Sequence, residues 1–150
     1  RSERKQLQRS RDLTGIDYSP VSVKTSLKTN RQDVESGKMK VLEGSVEALP
    51  FADDGFDKII TVESFYFWPD PQENLKEVRR VLKEGGTFLL VADTYNKEGL
   101  DPKTLENICR FHLFTPTAEE FRKLFEKAGF TGIQIHVKEG TDWICVEGKK

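Results

Sequence analysis

Apolar residues recur along this chain in two rhythms, short runs closed by turn signals and longer stretches at three-and-four spacing. In residues 56–63 the β-branched Ile59, Ile60 and Val62 follow the turn signal Asp54-Gly55, which predicts a short buried strand running into Glu63. Residues 13–17 (LTGID) and 39–43 (MKVLE) predict two more strands. Residues 87–92 predict another, apolar throughout and so buried on both faces. Ser19 and Pro20 open a helix as N-cap and first residue, Val23, Leu27 and Val34 share one of its faces, and Gly37 ends it. A second helix over 71–84 starts at Asp70-Pro71 with Glu73, buries Leu75, Val78, Val81 and Leu82, and stops at Gly85-Gly86. Asp101-Pro102 starts a third helix, with Leu105, Ile108, Cys109 and His112 on one face. Thr117 and Glu120 form the capping box of a fourth, lined by Phe121, Leu124, Phe125 and Ala128 and ended by Gly129. Residues 132–137 and 142–147 read as an antiparallel hairpin joined through Gly140. Cys109, Trp143 and Cys145 read as core residues.

Strand, helix, strand, turn and strand again is the rhythm of an α/β fold: a mainly parallel sheet with helices on both sides and a C-terminal hairpin. The chain divides into a basic polar segment, residues 1–12, and one domain over 13–150. In open α/β sheets ligands bind beyond the carboxyl ends of the strands. Asp17 stands at such an end, before a helix, where an acidic residue can accept hydrogen bonds from ribose hydroxyls; the same residue suits a turn. Glu63-Ser64 and the aromatic cluster Phe65, Tyr66, Phe67 and Trp68 stand at another. There the residues read equally as a site wall or as core packing.

Composition narrows the classes. A chain of 150 residues supports one sizeable core, and 33% charged residues make it wet. With 10 Phe, 3 Tyr and 2 Trp it is too aromatic for a disordered chain. A net charge of −1 gives no field that favours nucleic acid or an anionic membrane. No apolar run reaches the ~20 residues of a membrane span. Two cysteines make neither a disulfide framework nor a metal site, so no metal is expected and a reducing cytoplasm is the expected location.

Five pieces carry a resemblance: residues 14–20 (TGIDYSP), 44–51 (GSVEALPF), 56–57 (FD), 75–86 (LKEVRRVLKEGG), and 115–116 (TP) with 121–130 (FRKLFEKAGF). In this order and spacing the chain resembles the class I S-adenosylmethionine-dependent methyltransferases over nearly all of residues 13–147. The resemblance implies a Rossmann-like sheet, S-adenosylmethionine as cofactor, and methyl transfer to an acceptor expected to be a small molecule. It implies that Asp17 takes the ribose hydroxyls, that Tyr18 lies against adenine, and that Ser45 and Val46 face the adenine edge. Where the family places an acidic residue, this chain has Ser45, a weaker acceptor. Thr61, Val62 and Glu63 would lie near the methionine part, and Glu63, Tyr66, Trp68 and Tyr95 would face the acceptor. Positioning supplies much of such a reaction, so no covalent catalyst is expected.

The family also carries a Gly-rich first strand upstream of the strand ending at Asp17. Here 14 residues precede Gly15, none is Gly, and no G-x-G occurs in the chain, which reads as an N-terminally truncated domain. Strand 13–17 is then expected to pair directly with strand 57–62, or a homodimer to exchange a strand. The alternative reading is a truncated or degenerate methyltransferase-like module that binds no cofactor. A nicotinamide oxidoreductase would need a G-x-G-x-x-G after its first strand. No membrane or nucleic-acid partner is expected.

Overall fold

The computed structural model describes residues 12–150. All but Asp12 of the basic segment expected over 1–12 lies outside the described residues. The chain forms two compact units, the first running to Ala48 and the second from Leu49 to Lys150.

In the first unit β1 (Leu13–Asp17) and β2 (Met39–Glu43) pair in parallel, from Leu13 opposite Met39 to Asp17 opposite Glu43. The connection holds α1 (Pro20–Thr29) and α2 (Arg31–Glu35). Ser19 caps α1 by accepting from the Ser22 N–H at 3.3 Å, as its hydroxyl predicts. The single helix expected up to Gly37 is broken at Asn30. Its backbone N–H and its Nδ2 both donate to the Ser26 carbonyl, at 3.0 and 2.9 Å, and its φ of −104° leaves the helix. A side-chain amide that competes for a helical carbonyl ends the run that hydrophobic spacing would continue.

The second unit holds β3 (Phe56–Val62), a 3-10 turn (Phe65–Phe67), α3 (Pro71–Val81), β4 (Leu82–Ala92), α4 (Pro102–Arg110), α5 (Ala118–Lys127), β5 (Thr131–Val137) and β6 (Ile144–Lys149). Its four strands follow the order β3-β4-β6-β5. β3 and β4 are parallel, β6 is antiparallel to both β4 and β5, and the C-terminal hairpin is present as expected. The result is a mixed, Rossmann-like α/β arrangement. The strands make two sheets, rather than the direct pairing expected between strands 13–17 and 57–62.

The core of this unit is phenylalanine-rich. Phe88 stacks on Phe125 at 5.6 Å and lies 5.7 Å from Phe130. Leu75, Phe88, Leu90, Phe125 and Val146 are fully buried. Each such side chain contributes about 1.5–3 kcal/mol by leaving water. α3 and α5 both pack on this face of the sheet, where Gln72 Nε2 donates to the Leu124 carbonyl at 3.2 Å. Asp70 caps α3, and Thr117 with Glu120 makes the expected capping box on α5. Arg80 binds Glu77, Asp53 and the carbonyls of Leu49 and Phe51, which fixes the segment leading into β3.

Four expectations are corrected here. α3 ends at Val81 rather than residue 84, because Leu82 turns extended and pairs with Phe56. The register then jumps to Lys58 opposite Thr87, and the intervening residues bulge through Gly85 and Gly86. A Cβ on Gly86 would sit 2.8 Å from both Leu82 Cγ and the Lys83 carbonyl oxygen, so the bulge needs glycine there. β3 is not buried: it is the outer strand of its sheet, with Ile60 57% and Val62 56% exposed. Cys109 is exposed, since helical spacing says which residues share a face and not what covers it. Trp143 is exposed and Cys145 half-buried, because strand alternation gives the inward positions to Ile144, Val146 and Gly148.

Candidate functional site

In the first unit the tips of two adjacent parallel strands carry the chemistry. The Gly44 N–H donates to the Asp17 carbonyl at 3.0 Å and ties the end of β1 to the end of β2. Asp17 Oδ1 accepts from the Ser19 N–H at 2.8 Å, a turn that fixes the carboxylate and leaves Oδ2 without a partner among the described residues. Tyr18 is 74% exposed. The Ser45 hydroxyl donates to Glu47 Oε2 at 3.1 Å and accepts from the Glu47 N–H at 3.2 Å; Val46 is half-buried between them. Asp17, Tyr18, Ser45 and Val46 are thus brought to the carboxyl ends of neighbouring strands. Glu47 places a carboxylate beside Ser45, a contribution the sequence reading had missed. An open carboxylate oxygen, a hydroxyl and a nearby second carboxylate form an acceptor set that fits an adenosine, whose ribose hydroxyls and exocyclic amine are donors.

In the second unit the tips of β3 and β4 bring together Glu63, Tyr66, Asp93 and Thr94. Glu63 has a φ of +56°, a left-handed conformation that costs a non-glycine residue about 1–2 kcal/mol. Its N–H donates to the Val91 carbonyl at 3.0 Å, which holds it there. Tyr66 is 7% exposed. Its hydroxyl donates to Asp93 Oδ1 at 2.7 Å and accepts from the Thr94 N–H at 3.1 Å. Glu63 Oε2 lies 3.5 Å from the same hydroxyl. Burial first, then Asp93, raises the Glu63 carboxyl from its ordinary 4.5 to about 7. Burial, then the bond to Asp93, raises the Tyr66 phenol above its ordinary range. Glu63 Oε1 and Thr94 Oγ1 are buried with no hydrogen-bond partner among the described residues. Asp93 and Thr94 were not among the candidates. Their signal was position: they directly follow β4, which runs parallel to β3 and so ends at the same edge.

The other candidates part from this cluster. Thr61 Oγ1 hydrogen-bonds Ser64 Oγ, and the Val62 side chain is exposed. Trp68 turns to the aromatic core, 5.1 Å from Phe65 and 6.5 Å from Phe88. With Pro69, Pro71, Phe114 and Leu124 it lines a cavity of about 380 Å³. Tyr95 has Lys97 Nζ 5.9 Å from its ring centre, and Lys97 in turn pairs with Asp142 at 2.6 Å. Among the described residues no cluster of His, Cys, Asp and Glu could hold a metal ion, and no helix is long and apolar enough to cross a membrane.

A family model described as a methyltransferase domain matches residues 3–90. The chain is 32% identical over 132 residues to 2-methyl-6-phytyl-1,4-hydroquinone methyltransferase 1, chloroplastic, of Oryza sativa, covering 88% of this chain and 37% of the relative. It is also 32% identical over 135 residues to the protein of that activity from Arabidopsis thaliana, covering 90% of this chain and 37% of the relative. The chain therefore spans little more than a third of the length of these relatives. Its fold superposes with a TM-score of 0.79, at 13% identity, on a Haemonchus contortus phosphoethanolamine N-methyltransferase solved with phosphomonomethylethanolamine and S-adenosylhomocysteine. That match covers 93% of this chain and 43% of the other.

Proposed function

The chain belongs to the class I S-adenosylmethionine-dependent methyltransferase family, and on that premise we propose that the whole protein transfers a methyl group to a small phenolic acceptor of the hydroquinone kind. The observation that carries the reading is the family match over residues 3–90, which contain Asp17, Ser45-Val46 and the strand tip from Thr61 to Glu63. The hydroquinone class rests on the relatives' printed activity.

The bound cofactor supplies a methyl group on a sulfonium. Asp17 Oδ2 accepts from the ribose hydroxyls, its carboxylate already oriented by the Ser19 N–H. Ser45, Val46 and Glu47 receive the adenine edge, with Tyr18 beside the ring. In the second unit, Glu63 with Tyr66 would meet the acceptor. Trp68, engaged in the core, has no part in this reading.

Calorimetry with S-adenosylmethionine and S-adenosylhomocysteine tests the cofactor half. Binding is expected, and Asp17→Ala should weaken it by about 1–3 kcal/mol, the cost of unpaired buried hydroxyls. Unchanged affinity in that variant removes Asp17 from the site. Incubation with methyl-labelled cofactor and 2-methyl-6-phytyl-1,4-hydroquinone or methylhydroquinone tests the acceptor half. Cofactor binding without labelled product would sink the acceptor class, and no binding at all would favour a module that has lost the cofactor.

A further inference from the structure

We propose that Glu63, Tyr66 and Asp93 form a proton-sharing site at the carboxyl ends of β3 and β4, in which Glu63 accepts the proton released by the methyl acceptor and Asp93 is its positioning residue. The role of the site deepens the proposed function and rests on it; the proton sharing itself does not.

Tyr66 has one hydroxyl proton, and its shortest contact, 2.7 Å, commits that proton to Asp93 Oδ1. One lone pair of the hydroxyl already accepts from the Thr94 N–H. The remaining contact, Glu63 Oε2 at 3.5 Å, is favourable only when Glu63 brings the proton. An ionised Glu63 would instead point a charged oxygen at a hydroxyl oxygen whose proton is turned away. After burial, the Asp93 side chain at the end of β4 raises the Glu63 carboxyl by direct contact and by its charge, while the Asp93 backbone and the Tyr66 hydroxyl act the other way to a lesser extent; no cation is among the groups acting on it. The rise of the Glu63 carboxyl toward neutrality agrees with that arrangement. Asp93 thus takes the Tyr66 proton and itself opposes ionisation of Glu63, which makes Glu63 a proton-seeking group.

The second oxygen decides the role. Glu63 Oε1 is buried and has no partner among the described residues, so one polar atom of this carboxyl is uncommitted. The left-handed backbone of Glu63, pinned by Val91, sets this carboxyl between the tips of two parallel strands, where ligands of such sheets bind. Methylation of a phenol oxygen, or of a hydroquinone ring carbon, forms one bond from the acceptor to the methyl carbon. It breaks the sulfonium S–C bond, whose electron pair stays on sulfur, and it expels one proton from the acceptor's O–H or C–H. Glu63 Oε1, in the ionised form, takes that proton. The product state is the neutral carboxyl, which donates to the Tyr66 hydroxyl once its protonated oxygen turns toward it, and the proton leaves to solvent before the next turnover. A base poised near neutral pH suits this task.

Infrared titration of the full chain in D2O tests the pair without any acceptor. One carboxylic-acid band should disappear with a midpoint near pH 7 in the wild type. It should be missing in Glu63→Gln, and in Asp93→Asn its midpoint should fall by about one pH unit or more. Tyr66→Phe should also shift it, and serves if Asp93→Asn fails to fold. Absence of a carboxyl titrating near neutrality, or its survival in Glu63→Gln, overturns the pair whether or not methyl transfer occurs. With methylhydroquinone or 2-methyl-6-phytyl-1,4-hydroquinone as acceptor, the acid limb of kcat should move with the infrared midpoint in Asp93→Asn. Glu63→Gln should lose about 100-fold in kcat. An unmoved limb in Asp93→Asn, or full activity in Glu63→Gln, overturns the catalytic role. An intact infrared titration with no methyl transfer by the wild type upholds the pair and defeats the acceptor class.

Discussion

The two units of this chain divide stability and chemistry unequally. Residues 49–150 build a four-stranded sheet with two helices over a phenylalanine core, and every buried residue among the described ones lies there. None of residues 12–48 is buried, and Leu13, Tyr18, Val21, Leu27 and Leu42 are exposed. A parallel strand pair with two short helices removes little apolar surface from water and is marginal by itself. Yet that pair carries Asp17 and Ser45 at its strand tips. Candidate binding residues can therefore stand on a thermodynamically poor element while the element next in sequence supplies the core.

The sharpest way to break this contrast is in the core. Phe125→Ala should lower unfolding free energy by about 3–5 kcal/mol in urea denaturation, because a fully buried, stacked ring leaves a cavity. Leu27→Ala, the matching truncation in the first unit, should cost less than about 1 kcal/mol. Equal losses would mean that residues 12–48 are buried in solution in a way their exposure does not suggest. Gly86→Ala should cost about 1–3 kcal/mol by the same measurement, since the new methyl meets Leu82 and the Lys83 carbonyl at 2.8 Å. A neutral result would show that the bulge before β4 relaxes.

A smaller and pH-dependent effect belongs to Glu63. Between about pH 4.5 and about 7 the folded chain keeps the Glu63 proton that the unfolded chain has released. Folding takes up a proton in that window, so the Glu63 contribution to stability is full below it and is lost as pH rises through about 7. Thermal midpoints measured across the window should fall with pH more steeply in the wild type than in Glu63→Gln; identical slopes would contradict the raised carboxyl. The smallest effect is expected at Cys109, exposed near the end of α4. Cys109→Ser should change stability by less than about 0.5 kcal/mol and leave methyl transfer intact.

The order of elements was legible from residue spacing, because caps and turns are local. Asp70-Pro71 and Thr117 with Glu120 start their helices where their side chains can bond free N–H groups, and the structure has both. Boundaries set by competition were not legible. Asn30 breaks the first helix by bonding back to Ser26, and Leu82 leaves α3 because Phe56 is available to pair with it. Burial was legible only where a partner was implied. Ile60 and Val62 have the same residue types as a central strand, but their strand has one neighbour rather than two. Glu63 and Tyr66 could be named from the sequence because they stand three residues apart at one strand tip. Asp93 lies 27 residues beyond Tyr66, and only the parallel register of β3 on β4 sets the two 2.7 Å apart. Local backbone preferences and residue order alone carry the elements, their order and the family resemblance. Tertiary structure decided which apolar faces are covered and which carboxyls meet, because pairing between distant segments is fixed by packing that no local pattern encodes.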